Sequence, residues 1–224
     1  MNTPLDPEVE LLAGPVVQLP TVHGIFQMQA WHEEGTGIEH LSVQVPVPDG
    51  STPLVRVHSE CLTGDVFGSY RCDCGEQLDD ALQQIQRHGG VVVYLRGQEG
   101  RGIGLSNKLR AYALQEAGAD TVEANEQLGL PVDARSYGAA AAILRELGFE
   151  TINLLSNNPA KSERLAALGI TIADVIPAEV PTRAENLRYL QTKRDKMNHQ
   201  LSLQGFAEPR PLPISTTLSK GQPA

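Results

Sequence analysis

Basic residues are missing from the first quarter of this 224-residue sequence, where no Lys or Arg occurs before Arg56. The whole chain holds 18 basic and 27 acidic residues, a formal net charge of −9. This sign disfavours polyphosphate backbones and anionic lipids, so we expect neither nucleic acid nor a membrane as a partner. Aromatic residues make up only 4% of the chain, too few for a platform that stacks single-stranded bases. A local basic pocket for a small anion remains compatible with this composition.

Long apolar runs are also missing. The longest, residues 91–95 and 139–144, fall far short of the ~20 residues that a helix needs to span a bilayer. The first residues lack the basic segment that opens a secretory signal. The sequence contains only 3 cysteines, an odd number that does not build the disulfide framework of a small secreted domain. We therefore expect a cytoplasmic protein.

The apolar pattern predicts an α/β fold with a mixed sheet covered by helices. Residues 24–31, 41–47 and 54–58 are predicted strands, and antiparallel pairing suits this opening. After them helices alternate with strands, which is typical of a largely parallel or mixed sheet. The predicted strands of this second part are 91–95, 152–155 and 170–176. Its predicted helices carry Leu78/Leu82/Ile85, Leu105/Leu109/Ala113, Ile143/Leu144/Leu147 and Leu165/Leu168, and a last one covers residues 183–203.

Neither an internal repeat nor a linker interrupts residues 22–203. We therefore expect residues 1–205 to form a single catalytic domain. Residues 206–224 contain Pro209, Pro211 and Pro213 among Ser and Thr, a composition that buries little surface, so we expect a disordered tail there.

All three cysteines lie between positions 61 and 74. Cys72 and Cys74 are two residues apart, so extended backbone points both sulfurs to the same side, and a turn brings Cys61 to them. Around zinc, Zn–S bonds of ~2.3 Å place such sulfurs about 3.7 Å apart. Structural zinc sites have four protein ligands, whereas three ligands and a water are the catalytic pattern. The sequence therefore predicts a catalytic metal site.

Two other interpretations of the cysteines stay open. They are either small buried side chains, as free cysteines often are, or part of a closed structural site with His58 as the fourth ligand. The spacing His58-Ser59-Glu60 is also found in zinc-dependent nucleobase deaminases, but those continue with P-C-x-x-C. This chain has Cys-Asp-Cys instead, which favours some other zinc-assisted attack on a heterocycle.

Three further segments place polar residues near the ends of predicted strands. Residues 98–104, QEGRGIG, have neither Rossmann nor P-loop spacing, and they predict either a phosphate-binding turn at a helix N-terminus or a plain connection. Lys161 lies in the first turn of a helix that opens at Asn158-Pro159, where the macrodipole disfavours a cation unless an anion binds. Asp133 precedes the Ala-rich helix as its N-cap or as a site residue. Lys108 and Tyr112 share one helix face.

Taken together, these segments resemble the GTP cyclohydrolase II family over roughly residues 15–200. They read RVHSECLTGD from Arg56, RCDCG from Arg71, QEGRGIGL from Gln98, KLRAYALQ from Lys108 and NNP from Asn157. The resemblance implies zinc-dependent hydrolysis of GTP to formate, diphosphate and 2,5-diamino-6-(5-phosphoribosylamino)pyrimidin-4(3H)-one, the first step of riboflavin biosynthesis. It further implies Mg²⁺ on the triphosphate and a homodimer. The zinc, one per subunit, would be held by Cys61, Cys72 and Cys74.

The resemblance also implies roles for individual residues. Asp133 would accept a proton, Tyr112 would assist at the guanine end, and Arg135 is described in the family as a nucleophile towards the α-phosphorus. A guanidinium has a pKa above ~12 and therefore stays protonated at neutral pH. We thus expect Arg135 to stabilise charge instead. The implied GTP contacts are Arg56, Val57, His58, Ser59, Glu60, Gln77, Glu99, Gly100, Arg101, Thr121, Ser156 and Lys161.

Three departures from the family pattern accompany the resemblance. Gly97 is an extra residue before the Q-E-G-R segment, and Ser156 stands where Thr is more usual but keeps the hydroxyl. No dihydroxybutanone phosphate synthase domain precedes the matching segment. We therefore expect the single-activity form of the enzyme.

Overall fold

The computed structural model describes residues 6, 9–131, 133–197 and 199–203. Within this part of the chain, eight strands form one mixed sheet with helices packed against it. The strands are β1 Leu11–Ala13, β2 Val17–Thr21, β3 Gly24–Glu33, β4 Glu39–Val45, β5 Leu54–Ser59, β6 Gly90–Leu95, β7 Thr151–Leu155 and β8 Thr171–Ile176. The helices are α1 Leu62–Asp65, α2 Cys74–His88, α3 Glu99–Gly102, α4 Leu105–Glu116, α5 Thr121–Gln127, α6 Gly138–Glu146, α7 Pro159–Ala167 and α8 Leu187–Met197.

The sheet changes from antiparallel to parallel at its middle. Its order is β1-β3-β4-β6-β5-β7-β8, with β2 added to β3. The pairs among β1 to β4 and the pair of β4 with β6 are antiparallel, whereas the pairs β6–β5, β5–β7 and β7–β8 are parallel. Parallel strands need a crossover connection, which helices supply here. The predicted α/β fold with a mixed sheet is confirmed.

The central strands are buried on both faces, which explains their continuous apolar sequences. On one face Val55 and Val57 of β5 pack with the alanines of α6. On the other face Leu54 packs with Ile85 of α2. Because successive side chains alternate between faces, Arg56 lies on the α2 side with Leu54, and this alternation delivers a charged residue into the interior beside a helix.

Several predicted elements differ from those observed. The last helix spans Leu187–Met197 rather than 183–203. It starts late because the Asn186 side chain accepts a hydrogen bond from the Arg183 amide in a turn before it. After it, the Gln200 amide bonds the Asn157 carbonyl instead of continuing a helix. Strands β1 and β2 and helix α5 were not predicted at all.

The apolar face predicted for α4 from Leu105, Leu109 and Ala113 is also wrong. In α4, Leu105 and Leu109 are 37% and 51% exposed, and the buried residues are Lys108 and Ala111. The helix turns its charged residue inwards because Lys108 finds buried polar partners there. The reversal shows that this helix borders a polar site and not an apolar core.

The prediction of one domain over residues 1–205 stays a prediction, and the tail at 206–224 lies outside the described residues. Among the described helices, none is long and apolar enough to cross a membrane.

Candidate active site

A pocket of about 1080 Å³, including its open mouth, lies beyond the carboxyl ends of β5, β6 and β7. This is where open parallel sheets place their ligands. Its walls come from the end of β5, the segment around Gln98, the segment after β7, and helices α4 and α8. Of the residues implied by the family resemblance, those lining it are Arg56, His58, Ser59, Glu60, Cys61, Cys72, Cys74, Gln77, Gly100, Arg101, Tyr112, Thr121, Arg135, Ser156 and Lys161.

The three cysteines lie together on one wall of this pocket. Their sulfurs are within 4.8 Å of one another, and the Sγ atoms of Cys61 and Cys72 are 3.6 Å apart. This is close to the spacing expected for two thiolates on one zinc ion and too long for a disulfide. His58 does not join them, because its Nε2 faces the Asp65 carboxylate at 3.1 Å. Among the described residues, no fourth metal-ligating side chain joins the three sulfurs.

Two glycines allow the cysteine-bearing segments to approach each other. A Cβ on Gly64 would lie 2.9 Å from the Cys72 sulfur and 3.0 Å from the Cβ of Cys74. A Cβ on Gly75 would lie 2.4 Å from the Gly64 carbonyl oxygen. Short helix α1 therefore packs directly on the first turn of α2. This contact carries Cys61, the residue before α1, to the other two cysteines.

Lys108 brings a positive charge to the thiols. Its Nζ lies 3.1 Å from Cys61 Sγ, 2.8 Å from Thr63 Oγ1 and 2.6 Å from Glu99 Oε1. Hydrogen bonds from Cys72 and Cys74, together with Lys108, lower the pKa of Cys61. Their hydrogen bonds to Cys61 raise the pKa of Cys72 to about 12 and raise the pKa of Cys74 well above its usual value. One thiolate is thus already stabilised.

These observations fit a zinc ion. Three convergent thiols supply the soft donors that zinc prefers, and metal binding removes the remaining thiol protons. The ammonium of Lys108 offsets part of the negative charge that three thiolates accumulate. The donor set and the neighbouring charge therefore agree with the metal predicted from the spacing.

Asp65 links the cysteine wall to His58. Its carboxylate accepts hydrogen bonds from the Cys61 amide at 2.9 Å and from the Tyr94 hydroxyl at 2.8 Å, and it contacts His58. The Tyr94 ring stacks on the His58 ring at 5.4 Å. Burial lowers the pKa of His58, so the ring is a neutral group held in one orientation by two partners.

Buried cations form a second group on the pocket wall, which we call its cationic end. The Arg56 guanidinium donates to Gln77 Oε1 at 2.7 Å and to the Leu155 carbonyl at 3.1 Å. Lys161 donates to the Val57 carbonyl at 2.6 Å, so Val57 takes part through its backbone. Both cations are buried, and no carboxylate within the described ranges forms an ion pair with either. Burial and the nearby Arg56 lower the pKa of Lys161 well below its usual value.

Asp133 and Arg135 form a pair beside these cations. The Arg135 Nε donates to Asp133 Oδ1 at 2.9 Å. Burial opposes the charge of Asp133, but the bonds from Arg135 outweigh it and lower the pKa of that carboxyl. Of the two alternatives for Asp133, the N-cap of the Ala-rich helix is excluded, because α6 begins at Gly138 after Tyr137. Residues 133–137 belong to neither a helix nor a strand, and the Asp133 carboxylate holds Arg135 instead of capping α6.

The glycine-rich segment is a turn with left-handed backbone. Gly100 and Arg101 have φ values of +61° and +67°. For a residue with a side chain this conformation costs about 1–2 kcal/mol, and such outliers concentrate at functional sites. Arg101 lines the pocket. Glu99, at the start of this turn, reaches the pocket indirectly through Lys108.

The remaining predicted contacts are held by polar neighbours. Ser59 donates to Gln98 Oε1 at 2.7 Å, and Glu60 accepts the amide of Gly97, the extra residue, at 2.8 Å. Ser156 accepts the Asn158 amide at 3.1 Å. Thr121 is the first residue of α5. Tyr112 receives Arg71 over its ring at 4.3 Å.

Several pocket residues were missed by the sequence reasoning. Tyr189, Lys193 and His199 line the pocket from α8 and the segment after it. Asp73, between two cysteines, pairs with Lys193 at 2.7 Å. The signal in the sequence was weak, since nothing local marks a lysine on a distant helix as the partner of Asp73.

Comparisons with known proteins agree with this geometry. A family model described as GTP cyclohydrolase II matches residues 14–177. The chain is 55% identical over 196 residues to "Riboflavin biosynthesis protein RibBA" of Nocardia farcinica, covering 87% of this chain and 47% of that protein. It is 54% identical over 203 residues to the protein of the same name from Mycobacterium bovis, covering 88% and 48%.

Among solved structures, a two-domain 3,4-dihydroxy-2-butanone 4-phosphate synthase, RibBX from A. baumannii, matches with a TM-score of 0.44 and 22% identity over 76% of this chain and 40% of that one. The chain spans about half the length of the relatives it matches in sequence. The expected single-activity form therefore stays a prediction. The extent of the family match and the identity to these relatives show that the chain belongs to the GTP cyclohydrolase II family.

Proposed function

We propose that this chain hydrolyses GTP to formate, diphosphate and 2,5-diamino-6-(5-phosphoribosylamino)pyrimidin-4(3H)-one, the first step of riboflavin biosynthesis. One observation carries the proposal: a three-thiol group and a set of buried cations line the same pocket. A purine that lies against the thiols extends its triphosphate towards the cations.

At the thiol end, Cys61, Cys72 and Cys74 would hold one zinc ion per chain. When bound, zinc acts as a Lewis acid and lowers the pKa of water to roughly 7. Lys108 neutralises charge on Cys61 and is itself fixed by Glu99. Burial raises the pKa of Tyr112, so this residue keeps its proton and acts as a hydrogen-bond donor near the guanine ring.

At the cationic end, Arg56, Arg101 and Lys161 bind phosphate oxygens, and Mg²⁺ accompanies the triphosphate. Asp133 is a carboxylate at neutral pH because Arg135 lowers its pKa, so it is able to accept a proton. Asp133 in turn raises the pKa of Arg135 against the effect of burial. A guanidinium held in its charged form is suited to stabilising the leaving diphosphate, which supports charge stabilisation over nucleophilic attack.

The proposal extends to assembly and location. We expect a homodimer, which the exposed Leu105 and Leu109 on α4 support, and a cytoplasmic, single-activity enzyme. Light scattering of the native protein tests two of these points. A particle of twice 24.2 kDa whose chains each measure 24.2 kDa under denaturing conditions supports both the dimer and the single-activity form, and a longer chain from native cells contradicts the latter.

The activity is tested by incubating zinc-replete protein with GTP and Mg²⁺ while formate and diphosphate are measured. We expect both products, and we expect formate release to stop after zinc is chelated and to return when zinc is restored. Ammonia without formate would indicate nucleobase deamination. An opened ring without formate would indicate a stalled reaction and direct attention to Tyr112. If no GTP is consumed, the chain only binds nucleotide.

A further inference from the structure

The segment that closes the pocket lies beyond the region matched by the family model, which ends at residue 177. Helix α8 and the residues after it contribute Tyr189, Lys193 and His199 to the pocket wall. None of the motifs that identify the family includes them. The pocket is therefore completed by residues for which neither the motifs nor the family match assigns a role.

This segment is anchored on both sides of the pocket. Arg183 before α8 pairs with Glu76 of α2 at 2.8 Å, and Arg188 donates to the Gly118 carbonyl at 2.7 Å. After the helix, the Gln200 amide donates to the Asn157 carbonyl at 2.9 Å. The helix is held between these points with Lys193 at the inner side.

Lys193 joins the thiol end to the cationic end. Its Nζ donates to Asp73 Oδ1 at 2.7 Å, and the two side chains are 10% and 2% exposed. The other oxygen of Asp73 accepts Gln77 Nε2 at 2.7 Å. An ammonium has three donors, and in the described part of the chain Asp73 is the hydrogen-bond acceptor for one of them. The other N–H groups of the Lys193 ammonium lie on a side chain that lines the pocket.

Lys193 adds positive charge to the neighbourhood of two other basic groups of the pocket, Lys161 and His199. Burial, then Arg56, Arg135 and Lys193, lower the pKa of Lys161. Burial, then Lys193 and other pocket cations, lower the pKa of His199 to about 3. The positive charge of Lys193 thus helps to lower the pKa of both Lys161 and His199. A polyanion placed among these groups relieves the repulsion, whereas a neutral ligand does not.

We propose that Lys193 is a substrate-specificity residue that binds the phosphate groups of the nucleotide, while Asp73 holds its ammonium in place. The proposal rests on the proposed function for the identity of the nucleotide. Asp73, next to two cysteines, is then a positioning residue for the phosphate end as well as part of the metal-binding segment.

The test uses zinc-bound, full-length protein and two probes that are not turned over, inorganic triphosphate and guanosine, with binding measured by calorimetry. For Lys193→Met we expect triphosphate affinity to fall at least about tenfold, the loss of one charge-assisted hydrogen bond, and guanosine affinity to stay within about twofold. Lys196→Met, an exposed lysine one turn further along α8, is the matched control and should bind both probes like the unmodified protein.

A second variant separates phosphate binding from simple neutralisation of Asp73. Asp73→Asn with Lys193→Met removes the buried carboxylate that the single change leaves uncompensated. We expect triphosphate affinity to stay at least about tenfold weaker. Recovery to the unmodified value in this double variant overturns the proposal, as does an unmodified protein that fails to bind triphosphate. Triphosphate binding without formate release from GTP would instead refute the proposed reaction and leave the role of Lys193 standing.

Discussion

The two ends of the pocket balance charge in opposite ways. At the thiol end, Lys108 lies within hydrogen-bond distance of both Glu99 and Cys61, so positive and negative groups offset each other. At the other end, Arg56 and Lys161 are buried against neutral carbonyl and amide oxygens. The thiol end is thus compensated within the fold. At the cationic end, Asp73 offsets part of the charge of Arg56 and Asp133 part of that of Lys161, and a bound anion would offset the rest.

Replacing one of the three cysteines should have the largest effect on zinc binding and formate release. For Cys72→Ser we expect zinc binding and formate release to fall to background, because a hydroxyl is a poor replacement for a thiolate ligand. Metal analysis and a formate assay measure this. Ser69→Ala, in the same segment but outside the pocket, should retain both. Formate release near the unmodified rate in Cys72→Ser would refute the zinc assignment.

Crowding the thiols should have the next largest effect. Gly64→Ala places a Cβ 2.9 Å from the Cys72 sulfur, and such overpacking costs typically about 1–3 kcal/mol. We expect weaker zinc binding in a competition assay with a chromogenic chelator, and a lower free energy of unfolding. Gly35→Ala is the matched control, because nothing lies within 4 Å of its added Cβ. Equal zinc affinity in both variants would contradict the close approach of α1 and α2.

At the cationic end, Lys161→Met should raise the free energy of unfolding, whereas Gly64→Ala at the thiol end should lower it. The substitution removes a buried lysine without a carboxylate partner, so we expect the free energy of unfolding to rise by on the order of 1 kcal/mol. GTP affinity should fall at least about tenfold because a phosphate contact is lost. Urea unfolding and calorimetry measure the two quantities. A variant that is both less stable and equally tight for GTP would contradict the account.

Proton uptake provides the smallest and most specific signal. Burial lowers the pKa of Lys161 below 10.5, so the unfolded chain binds a proton at pH values where the folded chain has lost it. The contribution of this group to stability therefore rises with pH until about 10.5. At pH values between the folded-state and unfolded-state pKa, Lys161 is neutral in the free protein and bound phosphate raises its pKa again, so GTP binding there should take up at most about one proton and weaken as pH increases.

Calorimetry in two buffers of different ionisation enthalpy measures this uptake. Lys161→Met should take up correspondingly less than the unmodified protein. Identical uptake in the two proteins would assign the proton to another group.

The thiol end was predictable because its signal is local. Cys61, Cys72 and Cys74 occur close together in sequence, and a single contact at Gly64 gathers them. The cationic end draws on β5, the turn at Arg101, the segment at Arg135, α7 and α8, and its assembly depends on the sheet order. Lys161 was identified from its place in the first turn of a helix, Arg56 only through the family resemblance, and Lys193 not at all.

The fold shows the same limit. The buried strands β6 and β7 follow from continuous apolar runs, but β2 was hidden by Pro20. An edge position tolerates proline because no second neighbour needs its amide, and β2 pairs only with β3 within the described sheet. Helix α4 was assigned an apolar face from leucine spacing, whereas the ion pair of Lys108 with Glu99 decides its orientation. Long-range polar contacts of this kind leave no periodic signal.

The most direct test is metal analysis of the purified chain alongside its turnover of GTP. The account predicts one zinc ion per chain and a rate of formate release that is proportional to zinc content across partly depleted samples. A fully active protein that contains no zinc would contradict it.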